Sequence, residues 1–233
     1  MNAVILPFFE RPEHIKMLHL FDKLFKSAGR VREIQIHIKL VTAVDKNYLK
    51  PYLSTQKSSL KSAGKVLKRE LKDFHLNELG TLEKVVHQAL SKSSNQAQIQ
   101  DATNCLVRSL NKINGLLLAP YDDRSLHAIR KNVRRCTEIL KLASDADVTY
   151  KTKKLLSGMT AIQQHIGNWH DQATLLQSIN EFMQFHEPAA RSVNLRKFTS
   201  KTQLMAYKTR EEIYDELKSE LPILIKKSNL KIS

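Results

Sequence analysis

The sequence predicts an all-α protein built from two related helical bundles. Apolar residues recur at helical spacing through nearly the whole chain. No segment combines a strand-like alternation of apolar and polar residues with the Asn-Gly or Asp-Gly turns that are typical of hairpins. Six glycines and six prolines in 233 residues are too few for the many tight turns of a sandwich or barrel. An apolar fraction of 42% is enough for a core and argues against wholesale disorder.

The predicted helices are separated by breaks at Pro51, 91–95, 120–123 and Pro188. We expect Ser125 or Asp123 to cap the helix that follows the third of these breaks. In chain order, the predicted ranges are 13–26, 28–46, 55–74, 78–93, 96–118, 124–143, 149–166, 168–186 and 200–227.

Positive charge is concentrated in two parts of the chain. Lys and Arg number 38 against 23 Asp and Glu, a formal charge of +15. Residues 1–74 and 124–233 each carry a net charge of +8, whereas residues 75–123 carry −1. Such basic blocks attract polyanions: nucleic acid, acidic lipid or protein surfaces, or inorganic polyphosphate. The alternative is a basic surface that serves solubility alone.

An internal repeat accounts for the two basic blocks. Residues 28–41 resemble residues 166–179 at a constant offset. We therefore predict a single domain over 1–233 with a first helical repeat at 1–95 and a second at 96–233. Within the motif, we expect Trp169 in the core and both glycines at close helix contacts. The matched pairs are Gly29 with Gly167, Val31 with Trp169, Arg32 with His170 and Glu33 with Asp171.

The segment 126–143 sorts into two faces when it is placed on a helix. One face is apolar and collects Ile129, Val133, Cys136, Leu140 and Ala143. Neighbouring cations on one helix face repel each other, so the opposite face is either simply solvated or arranged for a multivalent anion. That face comprises His127, Arg130, Lys131, Arg134 and Lys141, with Glu138 among them and Arg135 on the flank.

Two further cationic stripes follow helical spacing. The first runs beside an apolar ridge in residues 57–74 and comprises Lys57, Lys61, Lys65, Lys68 and Lys72. The second is weaker and comprises Lys197, Lys201 and Lys208. One stripe alone is more simply explained as a solvated helix face, but three stripes in a repeated protein favour a binding surface.

Two motifs carry a resemblance to a known family. The string H-x-x-R-K-x-x-R-R at 127–135 is followed downstream by I-G-x-W-H-D at 166–171, and A-G-x-V-R-E at 28–33 looks like the second motif in the first repeat. This combination resembles the CHAD family, the conserved histidine α-helical domain. The resemblance covers essentially the whole chain. It implies two antiparallel four-helix bundles related by a pseudo-two-fold axis, with basic residues lining a groove or pore that binds inorganic polyphosphate.

The resemblance also implies which residues bind. The best matches to the family's anion-binding helix are His127, Arg130, Lys131, Arg134 and Arg135. Lysines of the third helices follow: Lys61, Lys65, Lys201 and Lys208. We extend the candidate set along the same faces to Arg32, Lys57, Lys68 and Lys141.

The first repeat departs from the family pattern. At the repeat offset, the partner of His127 falls before Met1, and residues 3–6 look like the tail of the missing helix. We therefore expect either a truncated first bundle or an in-frame helix encoded upstream. Truncation leaves apolar surface that a second copy of the chain would cover.

Two other functions stay open. A nucleic-acid binder suits the basic helices, but only 6% of residues are aromatic and none interleaves with the stripes as a stacking platform would. A phosphohydrolase or metal enzyme, or its accessory domain, lacks a suitable ligand set. Asp171 and Glu33 are more simply explained as ion-pair partners of basic residues on packed neighbours. We expect no catalytic residue, metal ligand or cofactor.

The two cysteines indicate a reducing compartment. Cys105 and Cys136 form neither a C-x-x-C pair nor a zinc-finger spacing. No run approaches 18 apolar residues. The sequence therefore predicts a cytoplasmic protein without membrane contact, and the resemblance implies an association with polyphosphate granules.

Overall fold

Six long helices form most of the described part of the chain. The computed structural model describes residues 12–44, 49–74, 94–118, 122–145, 150–186 and 192–228, with scattered positions between 80 and 91. No strand occurs among these residues, which confirms the all-α class. The helices are α1 (Pro12–Val44), α2 (Lys50–Asp73), α3 (Asn95–Leu117), α4 (Asp123–Asp145), α5 (Tyr150–Phe185) and α6 (Val193–Ser228).

Two pairs of helices that the sequence predicts as separate each form one continuous helix. The predicted helices 13–26 and 28–46 merge into α1, and 149–166 and 168–186 merge into α5. Gly29 and Gly167 lie inside these helices. A glycine in a helix interior costs about 1 kcal/mol relative to alanine, which does not end a helix of 33 or 36 residues whose other side chains pack. The predicted breaks after residue 26 and after residue 166 are therefore wrong.

Helix starts differ from the prediction more than helix ends. α2 begins at Lys50 rather than 55, because Pro51 occupies the first turn, where a missing N–H costs no helical hydrogen bond. α6 begins at Val193 rather than 200 and continues through Pro222. The breaks predicted at Pro120 and Pro188, and the truncated helix before residue 12, lie outside the described residues.

The helices divide between two compact units. The first comprises Met1–Ile99 with Gln177–Thr199, and the second comprises Gln100–Leu176 with Ser200–Ser233. Residues of α5 and α6 therefore belong to both units. The predicted repeats, 1–95 and 96–233, stay a prediction.

The second unit has a large apolar core. It combines one face each of α3 and α4 with the parts of α5 and α6 that belong to this unit. Trp169 is 1% exposed, which confirms its predicted place in the core. The apolar face predicted for α4 is also confirmed, since four of its members are buried: Ile129, Val133, Cys136 and Leu140.

Close helix contact in the second unit occurs at a glycine that the sequence did not single out. A Cβ atom at Gly158 on α5 would lie 2.5 Å from Cδ1 of Leu224 on α6. A Cβ at Gly29 or Gly167 would meet nothing within 4 Å. The close packing predicted for these two glycines is therefore wrong, because neither faces a neighbouring helix at that distance.

The first unit is held by α1 and α2, which pack together, and by a polar contact to α5. The Tyr52 hydroxyl donates to Ser178 Oγ at 3.0 Å, and Gln56 Nε2 donates to the same oxygen at 3.1 Å. His37 on α1 is 1% exposed. Its burial, and to a lesser degree the charge of Arg30, lower its pKa to about 4. The imidazole is therefore neutral at neutral pH.

No helix in the part of the chain that the structure describes has an apolar stretch long enough to span a membrane.

Candidate functional site

The start of α4 is fixed by a cap and by α6. The Ser125 backbone N–H donates to Asp122 Oδ1 at 2.6 Å, so the cap is Asp122 rather than the predicted Asp123 or Ser125. This backbone hydrogen bond, followed by one from the Ser125 side chain, lowers the pKa of the Asp122 carboxyl. On α6, Arg210 Nη1 lies 3.0 Å from Asp123 Oδ1, and the Tyr214 hydroxyl donates to the Asp122 carbonyl at 3.3 Å. These contacts set the position from which the basic face of α4 begins.

His127 connects the two motifs found in the sequence. Its ring centroid lies 5.0 Å from that of Trp169, edge to face, and 5.1 Å from that of His170. Both partners are on α5. The 127–135 and 166–171 motifs are therefore neighbours on adjacent helices, although they are far apart in the chain.

The electrostatic environment keeps His127 neutral near neutral pH. Partial burial lowers the pKa of the imidazole most, the Arg130 and Lys131 charges lower it further, and Asp123 opposes them. A polyanion on this face would oppose the effect of Arg130 and Lys131 on the His127 pKa, because nearby negative charge favours the imidazolium. An anion bound near His127 would therefore raise the pKa of its imidazole.

The other cations of the basic face of α4 differ in their exposure to solvent. Arg130 is half-buried, whereas the others are exposed: Lys131, Arg134, Arg135 and Lys141. Arg134 Nε lies 2.8 Å from Glu138 Oε1, one helical turn away. Because both partners are more than half exposed, this pair contributes at most about 1 kcal/mol and can open to release the guanidinium.

The lysine stripe of α2 lies on the surface of the first unit. Its predicted members are all exposed: Lys57, Lys61, Lys65, Lys68 and Lys72. Lys50, which is also exposed, lies seven residues before Lys57 and therefore on the same face. The sequence analysis missed Lys50 because it started this helix at residue 55. We call the six lysines the α2 ridge.

The other predicted binding residues are exposed and belong to different units. Arg32 lies on α1 in the first unit, and Lys201 and Lys208 lie on α6 in the second. The second unit thus holds Lys201, Lys208 and the α4 cations. The first holds Arg32 and the α2 ridge.

Glu33, considered above for an enzyme, and His165 both have partners within the fold. Glu33 Oε1 lies 3.0 Å from Arg30 Nη1, so its ion pair is with its own helix rather than with the predicted packed neighbour. His165 Nδ1 lies 2.7 Å from Glu216 Oε2 and joins α5 to α6. Among the described residues, no group of three or more His, Cys, Asp or Glu is placed to hold a metal ion.

These features define a strongly basic, all-α protein in which His127 of the cationic helix α4 packs against Trp169 and His170 of α5. The chain belongs to the CHAD family: the family model, described as CHAD domain, matches residues 3–180. This family is associated with polyphosphate binding. Neither a curated protein nor a solved structure matches the chain.

Proposed function

We propose that this protein binds inorganic polyphosphate without turnover, through the basic face of α4 and the α2 ridge. The observation that carries the proposal is the junction of His127 with Trp169 and His170, which unites both family motifs under a face of outward-pointing cations. Family membership supports the same ligand class.

Polyphosphate suits this chemistry because each phosphate presents oxygens to several cations at once. A guanidinium such as that of Arg130 can contact two oxygens together, and each contact is charge-assisted. His127 adds charge only where the ligand supplies an anion. Binding also releases counterions, so the affinity falls as the salt concentration rises.

The acidic groups support binding rather than turnover. Glu33 is paired with Arg30, and the described residues contain no cluster suited to a divalent cation. Phosphoryl transfer ordinarily relies on such a cation to neutralise developing charge. We expect incubation with polyphosphate and Mg²⁺ to release no orthophosphate above background. Release that co-purifies with the protein and with its α4 cations would overturn the non-enzymatic proposal.

A competition experiment tests the ligand. Labelled polyphosphate is bound at fixed salt and displaced by unlabelled polyphosphate, single-stranded DNA or duplex DNA, each at equal phosphate concentration. We expect polyphosphate to displace the label at a concentration at least tenfold lower than either DNA. Neither α4 nor α2 carries an exposed aromatic side chain among its described residues that could stack a base. Equal displacement by DNA would favour the nucleic-acid alternative.

We also propose that a second copy of the chain covers apolar surface on the first unit. Phe25, Leu71 and Phe185 are 71%, 52% and 82% exposed. The proposal requires that they form one contiguous apolar patch, because contiguous patches mark interaction surfaces whereas single exposed residues do not. Light scattering should give a dimeric or higher mass that falls after Phe25→Ser with Leu71→Ser. A strictly monomeric mass would contradict this. We place the protein in the cytoplasm at polyphosphate granules, which microscopy of a fluorescent fusion tests.

A further inference from the structure

The α2 ridge forms one straight cationic line. Its six lysines are exposed, and on a regular helix they fall within a sector of about 80°. From Lys50 to Lys72 the ridge rises roughly 33 Å along the helix axis. Exposed Ser54 occupies the one turn of this face that lacks a lysine.

Acidic side chains are absent from the ridge. Glu70 and Asp73, the carboxylates of α2, lie on other faces of the helix, and Glu70 is 3.6 Å from Arg69. Among the described residues, no carboxylate forms an ion pair with any lysine of the ridge. Some cations on other helices are paired on their own helix, as Lys26 is with Asp22 and Arg134 is with Glu138. No carboxylate of the described residues therefore offsets the repulsion between ridge lysines three and four residues apart.

The ridge is also held in place. Tyr52 and Gln56 anchor the start of α2 to Ser178, and Leu53 is 7% exposed. The single proline of α2, Pro51, lies in its first turn, so no proline kink interrupts the α2 ridge. A fixed, straight row of like charges is complementary to a linear polyanion, and only a ligand that extends along the row can neutralise all of it.

We propose that the α2 ridge selects polyphosphate by chain length, so that a linear chain spanning the whole ridge binds more tightly than a short or compact phosphate of similar charge density. The inference rests on the proposed function. A short chain contacts two or three lysines, and each further lysine that a longer chain reaches is an intramolecular contact at high effective concentration. Affinity therefore rises with length and stops rising once the ridge is spanned.

The experiment measures binding of tripolyphosphate, inositol hexakisphosphate and size-fractionated linear polyphosphate at one salt concentration. Concentrations are expressed per phosphate unit, which removes the statistical advantage of long chains. We expect at least a tenfold gain from tripolyphosphate to a chain that spans the ridge, then a plateau. Inositol hexakisphosphate concentrates its charge in a compact molecule and should bind like a short chain.

Three double variants, each removing two charges, locate the effect. Lys50→Gln with Lys72→Gln trims both ends, so the plateau should move to shorter chains while tripolyphosphate binding stays unchanged. Lys61→Gln with Lys65→Gln interrupts the centre and should weaken long chains most. Lys153→Gln with Lys154→Gln alters exposed lysines of α5 and should leave the plateau in place. Glutamine has nearly the helix propensity of lysine.

The outcomes separate the two proposals. If the unaltered protein binds no polyphosphate of any length, the proposed function fails and the inference fails with it. If it binds polyphosphate but the affinity per phosphate is independent of length, or inositol hexakisphosphate binds as tightly as a spanning chain, only the inference is overturned. An unmoved plateau in the end-trimmed variant overturns it as well.

Discussion

The basic face of α4 and the α2 ridge use cations in two different ways. On α4, His127 packs against Trp169 and His170, Arg130 is half-buried, and Glu138 neutralises Arg134. On α2, the ridge is exposed throughout and lacks a paired carboxylate among the described residues. The α4 face is thus shaped by its contacts, whereas the α2 ridge is a repeated charge without specific contacts.

The cores beneath the two surfaces differ as well. In the described residues, the second unit buries one continuous apolar cluster that includes Trp169. Among the described residues, the buried polar side chains of the first unit are His37 and Gln56, a titratable ring and a long amide, whereas those of the second unit, Ser109, Thr137 and Thr202, carry only hydroxyl groups. Buried polar groups are costly unless they are hydrogen-bonded. We therefore expect the first unit to respond to pH and to single hydrogen-bond deletions, and the second to respond mainly to loss of apolar volume.

The largest expected effect is on the second core. Trp169→Ala should lower the free energy of unfolding by about 3–5 kcal/mol, because it removes a large buried aromatic side chain and leaves a cavity. The matched change in the first repeat, Val31→Ala, removes less volume from a half-buried position and should cost about 1 kcal/mol or less. Denaturant titration measures both. Equal costs would show that the two motif copies are packed alike.

The next effect concerns the α4 face. Arg130→Glu with Arg134→Glu should lower polyphosphate affinity at least tenfold with helicity retained, since two charge-assisted contacts are each worth about 1.5–3 kcal/mol and 1.4 kcal/mol is tenfold. Lys153→Glu with Lys154→Glu changes net charge equally and serves as the control. Binding and circular dichroism are measured together. If both double variants weaken binding alike, no defined site exists on α4.

A third effect is the acid sensitivity of the first unit. Because burial lowers the folded-state pKa of His37 to about 4 from 6.5, the unfolded chain binds more protons between these values. The contribution of neutral His37 is complete above pH 6.5 and is lost as pH falls toward 4, by on the order of 3 kcal/mol. His37→Leu, which places here the residue type of its repeat partner Leu175, should flatten this part of the stability profile. An unchanged profile would assign the acid sensitivity to other groups.

The smallest effect tests the anchor of α2. Ser178→Ala leaves Tyr52 and Gln56 without their shared acceptor and should cost about 1–3 kcal/mol, with faster amide exchange at the start of α2. The control, Ser219→Ala, alters an exposed serine that bonds only to the backbone of its own helix and should stay within about 0.5 kcal/mol. A cost no greater than that of the control would mean that packing alone holds α2.

Much of the local structure was predictable because it depends on short-range patterns. Helical spacing identified the helices, and it placed Ile129, Val133 and Cys136 on the buried side of α4. The motifs at 127–135 and 166–171 identified the family that the comparison confirms. Helix boundaries were less predictable. Neither the continuity of α1 through Gly29 nor the start of α2 at Lys50 follows from the helix preferences of the local residues alone.

The helical class, the faces of the helices and the positions of the cationic stripes could be predicted from the sequence, because they follow from a period of 3.6 residues. Which residues meet depends on the packing of the helices. The contact of His127 with His170, the ion pair of Arg210 with Asp123 and the close approach of Gly158 to Leu224 each join residues that are far apart in the chain. Such contacts depend on how helices pack against each other, and no local periodicity encodes that geometry.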